Sequence, residues 1–403
     1  MVCAGTSPAS SQANAKAASL SKPEQLFIGA MLASYQNDFA KAEDLWKQAA
    51  EAIPTDWRVQ MGRGSRLFLA EKYSEAIDTL NKATAINQDA GPAYNLIGYS
   101  YLFQGEGAPA VDALKKYASL LPNEPNPQDS LGEALMAQGQ FADGEAAFRK
   151  AISLSPAFAI SWDGVAYTKF FAGDWAGGKA AVAKEREAAL RPADRLLADR
   201  LAAFASLAEG KTAEGLKQID AIDKSSDATP DDTAFTPANR ALVMVETGRY
   251  KDAVTEAAKS MAIAEGGQLS AFVFSNLRRV ALAVTASAQG RMGDAAGAEK
   301  TVAALQQAAT AAPDDPNLKS TVHFAQGMLG AAQKDMKGAQ THFGMCSNQD
   351  VYCQWQAFEL SQKVGDKEGA SASLARLTRI YRRDPLYLYA RSTISPMARK
   401  PSS

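Results

Sequence analysis

A chain of 403 residues would ordinarily divide into roughly two to three globular domains, unless it is a repeat array whose core lengthens by adding units. With 43 Lys and Arg against 44 Asp and Glu, it has no net field to draw it toward nucleic-acid backbones or anionic lipid surfaces. No apolar run reaches the roughly 18 residues of a membrane span, and Ala-rich stretches such as Val280 to Ala288 are interrupted by Thr and Ser.

Residues 1–22 are small and polar, with little to bury, and read as a disordered arm. Two export readings stay open beside that one. Cys3, followed by Ala4, Gly5 and a Ser/Ala/Asn-rich tether, resembles the start of a bacterial lipoprotein, which makes Cys3 a candidate for lipidation. Ala13-Asn14-Ala15 has the small-x-small form of a signal-peptidase site, without an apolar region ahead of it.

From residue 23 a ladder of small residues sets in. Gly64, Gly98 and Gly132 stand 34 residues apart, and Ala42, Ala76, Ala110, Gly144 and Gly178 keep the same step. In the first unit Ala42, Trp46 and Ala49 share one helix face, and Pro54 stops the helix. Unit two repeats the layout with Gly64, Tyr73, Ala76 and Leu80. Unit three places Tyr94, Leu96, Gly98 and Tyr101 on its first helix, Gly105 at the turn, Ala110 and Leu114 on its second, and closes at Pro122. Leu131, Gly132, Phe141, Gly144 and Phe148 occupy the same places in unit four, and Trp162, Gly173, Trp175, Gly178 and Val182 in unit five. Five units over residues 23–190 keep register without an insertion.

This order of Tyr94, Leu96, Gly98, Tyr101, Ala110, Leu114 and Pro122 resembles a tetratricopeptide repeat. The resemblance implies an all-α, right-handed superhelical solenoid of antiparallel helix pairs, in which small residues let paired helices approach and large ones fill the gaps. Beyond Arg191-Pro192 the period drifts. Gly210, Gly248, Gly293 and Gly365 still precede second-helix patterns, but at unequal spacings. Residues 191–381 therefore read as about five degenerate pairs, and residues 382–403 as an extension or cap.

Catalytic constellations are not evident. His323 and His342 are the two histidines, and neither lies in a nucleophile-elbow context; no strand pattern accompanies a phosphate loop or a dinucleotide fingerprint. Asp231-Asp232 and Asp314-Asp315 fall at expected helix starts, where the helix dipole favours acids. His342 and Cys346 share a helix face, but their spacing with Cys353 and His323 matches no zinc pattern. Cys346 and Cys353 flank a short turn and are candidates for a disulfide in an exported protein. No enzyme, cofactor or metal is expected.

In tetratricopeptide arrays the first helix of each pair lines the concave face. Carried onto this register, the resemblance places Phe27, Met31 and Tyr35 there from unit one, and Met61, Phe68 and Leu69 from unit two. Tyr99, Leu102 and Phe103 follow from unit three, Met136 from unit four, and Tyr167, Phe170 and Phe171 from unit five. The lining is apolar, and Asn95 is its one clear counterpart to the Lys and Asn of carboxylate-clamp relatives. It suits an apolar partner, since burying each large side chain is worth about 1.5–3 kcal/mol. The leading expectation is a non-enzymatic scaffold that receives an apolar segment of another protein. The alternative is a carrier of a lipid or other apolar small molecule in the bacterial envelope. No nucleic-acid partner is expected. The expected location is the periplasm or the outer membrane through a lipid anchor, with the cytoplasm left open.

Overall fold

The computed structural model describes residues 20–36, 38–266, 269–313 and 315–394, and Cys3 lies outside them. Among these residues all regular structure is helical. Two compact units meet in sequence at Pro122 and Asn123.

Unit 1 holds three helix pairs. They are α1 (Lys22–Tyr35) with α2 (Phe39–Ala52), α3 (Trp57–Leu69) with α4 (Tyr73–Ile86), and α5 (Gly91–Gln104) with α6 (Gly107–Leu120). Each pair is close because a small residue on the first helix faces a large one on the second. A methyl placed on Gly98 would lie 2.5 Å from Leu114 Cγ, well inside van der Waals contact. Leu114 and its counterpart Leu80 are fully buried.

Unit 2 begins with α7 (Pro125–Ala137) and α8 (Phe141–Leu154), α9 (Ile160–Phe171) and α10 (Trp175–Ala188), then α11 (Pro192–Ala208) and α12 (Thr212–Ile222). A one-turn helix, α13 (Pro230–Thr233), carries Asp231 and Asp232 in its first turn and is capped by Thr229. Then come α14 (Thr236–Glu246) with α15 (Tyr250–Glu265), and α16 (Ala271–Met292) with α17 (Ala295–Ala311). The array continues through α18 (Pro316–Ala332) with α19 (Met336–Gly344), and α20 (Val351–Val364) with α21 (Lys367–Thr378).

The turn between paired helices contains a left-handed residue, and these residues measure the period. Glu71, Gly105, Gly139 and Gly173 take φ of 58 to 87° and stand 34 residues apart. From Gly173 through Gly210, Gly248, Gly293, Lys334 and Gly365, the separations become 37, 38, 45, 41 and 31 residues. The cause is helix length: α11, α17 and α18 have 17 residues and α16 has 22, where the earlier helices have 12 to 14. The helix-turn-helix plan survives while its arms change length, α19 having only 9 residues, and α13 is inserted between α12 and α14.

A second device marks the starts of second helices. Asp174, Asp294, Asp335 and Asp366 each accept a hydrogen bond from the N–H of the glycine three residues on, Gly177, Gly297, Gly338 and Gly369. These carboxylates satisfy donors that the helix itself leaves orphaned. A Cβ on any of the four glycines would collide with the capping carboxylate.

The last helix among the described residues is α22 (Pro385–Thr393). Asp384 caps it by accepting the Tyr387 N–H, and it packs on α11 and α20. Its Leu388 joins the core around Phe148 and Tyr167, while Tyr387, Tyr389 and Ile394 join the core around Phe324 and Trp355. Residues 387–394 thus bridge the early and late pairs of unit 2.

Candidate functional site

In unit 1 two first helices and the start of a second helix present a row of aromatic rings. Phe68 on α3 lies 5.8 Å from both Tyr73, at the start of α4, and Phe103 on α5. Tyr73 and Phe103 are 5.6 Å apart, and Tyr99 adds a fourth ring 5.9 Å from Phe103. All four are half-buried, so the rings support one another and leave part of their surface to water. Leu69 is exposed beside them. On α1, Phe27 meets Trp46 edge-on at 5.6 Å, while Met31 and Tyr35 stand out into solvent, Tyr35 with 81% of its surface exposed. Met61 is half-buried against the core of α3 and α4.

Four residues expected on the accessible face lie instead in the packing between helices. Leu102, Met136, Tyr167 and Phe170 are all essentially buried. Consecutive helical positions differ by about 100° in direction, so a register error of one residue exchanges face and core. Phe170 and Phe171 illustrate it. Phe170 packs on Gly178 and on Trp175, 5.2 Å away, whereas Phe171 turns toward Tyr381 at 5.0 Å and Tyr387 at 5.8 Å.

In unit 2, therefore, the face that corresponds to the aromatic row is covered by the chain itself. Tyr381 donates its N–H to Ala137 O at 3.0 Å, and its ring stands edge-on to Phe141 at 4.9 Å. Arg383 donates to Asp163 Oδ2 and Asp129 Oδ2, each at 3.0 Å, and to Ile160 O at 2.9 Å. Glu133 is 3.8 Å away, and the guanidinium lies over the Phe148 ring at 5.2 Å. The Ser161 hydroxyl donates to Asp129 Oδ1 at 2.7 Å and holds that carboxylate in place. Tyr389 meets Phe204 and Trp355 edge-on, and Trp355 donates its ring N–H to Thr393 Oγ1 at 3.1 Å.

Burial sets the electrostatics beneath this segment. Asp163 is pushed up to about 6, because loss of water outweighs the pull of Arg383. Glu185, 2% exposed, is pushed up to about 9 by burial and then by Asp163, and its Oε2 has no hydrogen-bond partner among the described residues. Beside the segment lies a cleft of about 470 Å³, lined by Phe170, Phe171, Trp175, Leu388 and Tyr381, with Glu209, Arg391 and Ser392 among its polar residues.

Further along unit 2, Cys346 and Cys353 are joined by a disulfide, so both sulfurs are bonded to each other across the turn from α19 to α20. His323 and His342 stack with ring centres 5.8 Å apart. The Arg383 socket has no obvious mark in the sequence. Asp129, Asp163 and Arg383 are far apart along the chain, and their clearest common trait is a place on or facing first helices.

The helix pairs, the 34-residue period and the small-on-large packing define an all-α array of tetratricopeptide type. No family model matches the chain, and no curated protein matches it. Among solved structures it is similar to MamA residues 41 to the end from Desulfovibrio magneticus RS-1, at 17% identity and a TM-score of 0.38, over 42% of this chain and 94% of that one. YrrB, described as a TPR protein with an unusual peptide-binding site, is 18% identical with a TM-score of 0.36, over 41% of this chain and 84% of its own. PilW, a type IV pilus biogenesis factor, is 17% identical with a TM-score of 0.44, over 52% and 97%.

Proposed function

We propose that the chain is a non-enzymatic scaffold, and that unit 1 receives an apolar segment of a partner protein on the row formed by Phe68, Tyr73, Tyr99 and Phe103. The observation that carries this reading is that four mutually supporting rings keep part of their surface open beside exposed Leu69. Water contact at such a row is relieved when an apolar partner covers it. A scaffold also accounts for a chain whose perturbed acids lie under its own C-terminal segment. The disulfide supports an oxidising compartment outside the cytoplasm. Among the described residues no helix is long and apolar enough to cross a membrane.

The test is a crosslinking experiment in the native host, comparing the natural chain with a Tyr99→Ala, Phe103→Ala double variant. Partner crosslinks that map to α3 and α5 should vanish in the variant while its helicity is unchanged. Crosslinks that persist unaltered would sink the reading. A second reading, a carrier of an apolar small molecule, draws on the cleft beside Phe171 and Leu388. It requires a stoichiometric lipid in an organic extract of the purified protein.

A further inference from the structure

The cleft between the α9–α10 turn, the end of α11 and α22 combines an apolar lining with one deeply set cation. Phe170, Leu388 and Tyr381 are its buried lining, and Phe171 and Trp175 stand half-buried beside them. At about 470 Å³ it has the size of small-molecule sites, which pair apolar walls with a few convergent polar groups. Arg391 is the most buried of its polar residues, 8% exposed. Its Nη1 donates to the Tyr387 hydroxyl at 2.7 Å, and its Cζ lies 4.1 Å from the centre of the Tyr381 ring. Burial pushes Tyr387 up to about 12, so that hydroxyl is neutral. Both contacts therefore fix the plane of the guanidinium without cancelling its charge. Glu209, the carboxylate among the described lining residues, is already engaged by Lys179 and Lys211, and Asp174, next to Gly173, by Lys169. The ends of α9 and α11 also border the cleft, but their carbonyls carry partial charges, which a whole guanidinium charge outweighs at contact distance.

We propose that this cleft binds an apolar monocarboxylate, whose carboxylate pairs with Arg391 and whose hydrocarbon body lies on Phe171, Trp175 and Leu388. The inference rests on the carrier reading of the same cleft and goes beyond it by assigning a head group and its anchor. A single planar guanidinium matches one planar carboxylate in charge and in shape, where a dianionic phosphate would call for a second cation. Arg391 disfavours a cationic head, and the aromatic walls disfavour a wholly polar anion, which would give up water without gaining a partner there. The aromatic row of unit 1 shares no residue with this cleft.

The test uses the full natural chain and three probes that share one tail, dodecanoate, dodecanol and dodecyltrimethylammonium, titrated calorimetrically below their micellar concentrations. Dodecanoate should bind one per chain, about tenfold or more tighter than dodecanol, as a charge-assisted pair requires, and the ammonium probe should bind weakest. A dodecanoate with a photoreactive diazirine on its tail should crosslink to the start of α10 and to α22. Arg391→Gln should bind dodecanoate and dodecanol alike. If that variant loses helicity, the comparison of head groups on the natural chain decides. Equal affinity for dodecanoate and dodecanol, or preference for the ammonium, with crosslinks still in the cleft overturns the carboxylate assignment and leaves the carrier reading standing. Crosslinks confined to α3 and α5, or no binding of any probe, overturn both.

Discussion

Units 1 and 2 are built from the same helix pair but differ in what covers the first-helix face. In unit 1 the rings of Phe68, Tyr73, Tyr99 and Phe103 are half-buried, and Leu69, Met31 and Tyr35 are exposed. In unit 2, Phe171 is met by Tyr381 and Tyr387, and Arg383 fills the socket between α7 and α9. Among the described residues, one repeat chemistry thus yields a half-buried face in unit 1 and a covered one in unit 2, where the chain returns across it. Aromatic residues on such a face do not by themselves report a free site.

The largest effect that would test this contrast is loss of the aromatic anchor under the returning helix. Trp355 is fully buried, so Trp355→Ala should cost about 3–5 kcal/mol of unit 2 stability. Hydrogen exchange measured separately in α1–α6 and α7–α22 should show the loss in unit 2 alone. An equal loss in unit 1 would break the distinction between the units.

Removing the disulfide should come next. Cysteines seven residues apart close a short loop, and replacing both by Ser should cost about 2–3 kcal/mol. A reductant should lower the melting temperature of the natural chain and leave that of the Cys346→Ser, Cys353→Ser variant unmoved.

The glycine ladder should behave alike in both units. A methyl at Gly98 would meet Leu114 at 2.5 Å, and one at Gly164 would meet the Phe148 ring at 2.4 Å. Either change to Ala should cost about 1–3 kcal/mol by overpacking, read in denaturant unfolding. A cost at Gly98 far below that at Gly164 would show that pairs in unit 1 pack more loosely.

A further contrast is a pH slope confined to unit 2. Glu185 titrates at about 9 in the fold against an ordinary 4.5, so the fold binds its proton more tightly than the unfolded chain does. Its stabilising contribution is complete below pH 4.5 and is lost as pH rises toward 9. Glu185→Gln should flatten that slope in melting temperature against pH. A slope unchanged by the substitution would place the titration elsewhere.

Much of the fold was legible because helix pairs are local objects. The 34-residue step of Gly64, Gly98 and Gly132, with Leu80 and Leu114 sixteen residues beyond the first two, is set by contacts within one hairpin. In the later half the period faded because α15 to α18 are longer, α19 is shorter and α13 is inserted. A subtler sign persisted in the Asp-x-x-Gly of Asp174, Asp294, Asp335 and Asp366, each of which caps a second helix. Lys334 hid another turn by taking the left-handed conformation without being glycine.

The candidate faces were harder to read, since side-chain direction changes by about 100° per residue and depends on how each pair meets the next. That is why Phe171 and Phe170, adjacent in sequence, face different surroundings, and why Leu102 and Met136 lie in the core. By itself the sequence determined the helices, their pairing and the small-on-large packing, all of which rest on short-range spacing. Only the tertiary structure decided that Arg383 lies between Asp129 and Asp163, more than two hundred residues earlier, and so which first-helix face is covered. No periodic signal encodes such a contact, because it depends on the path of the whole chain.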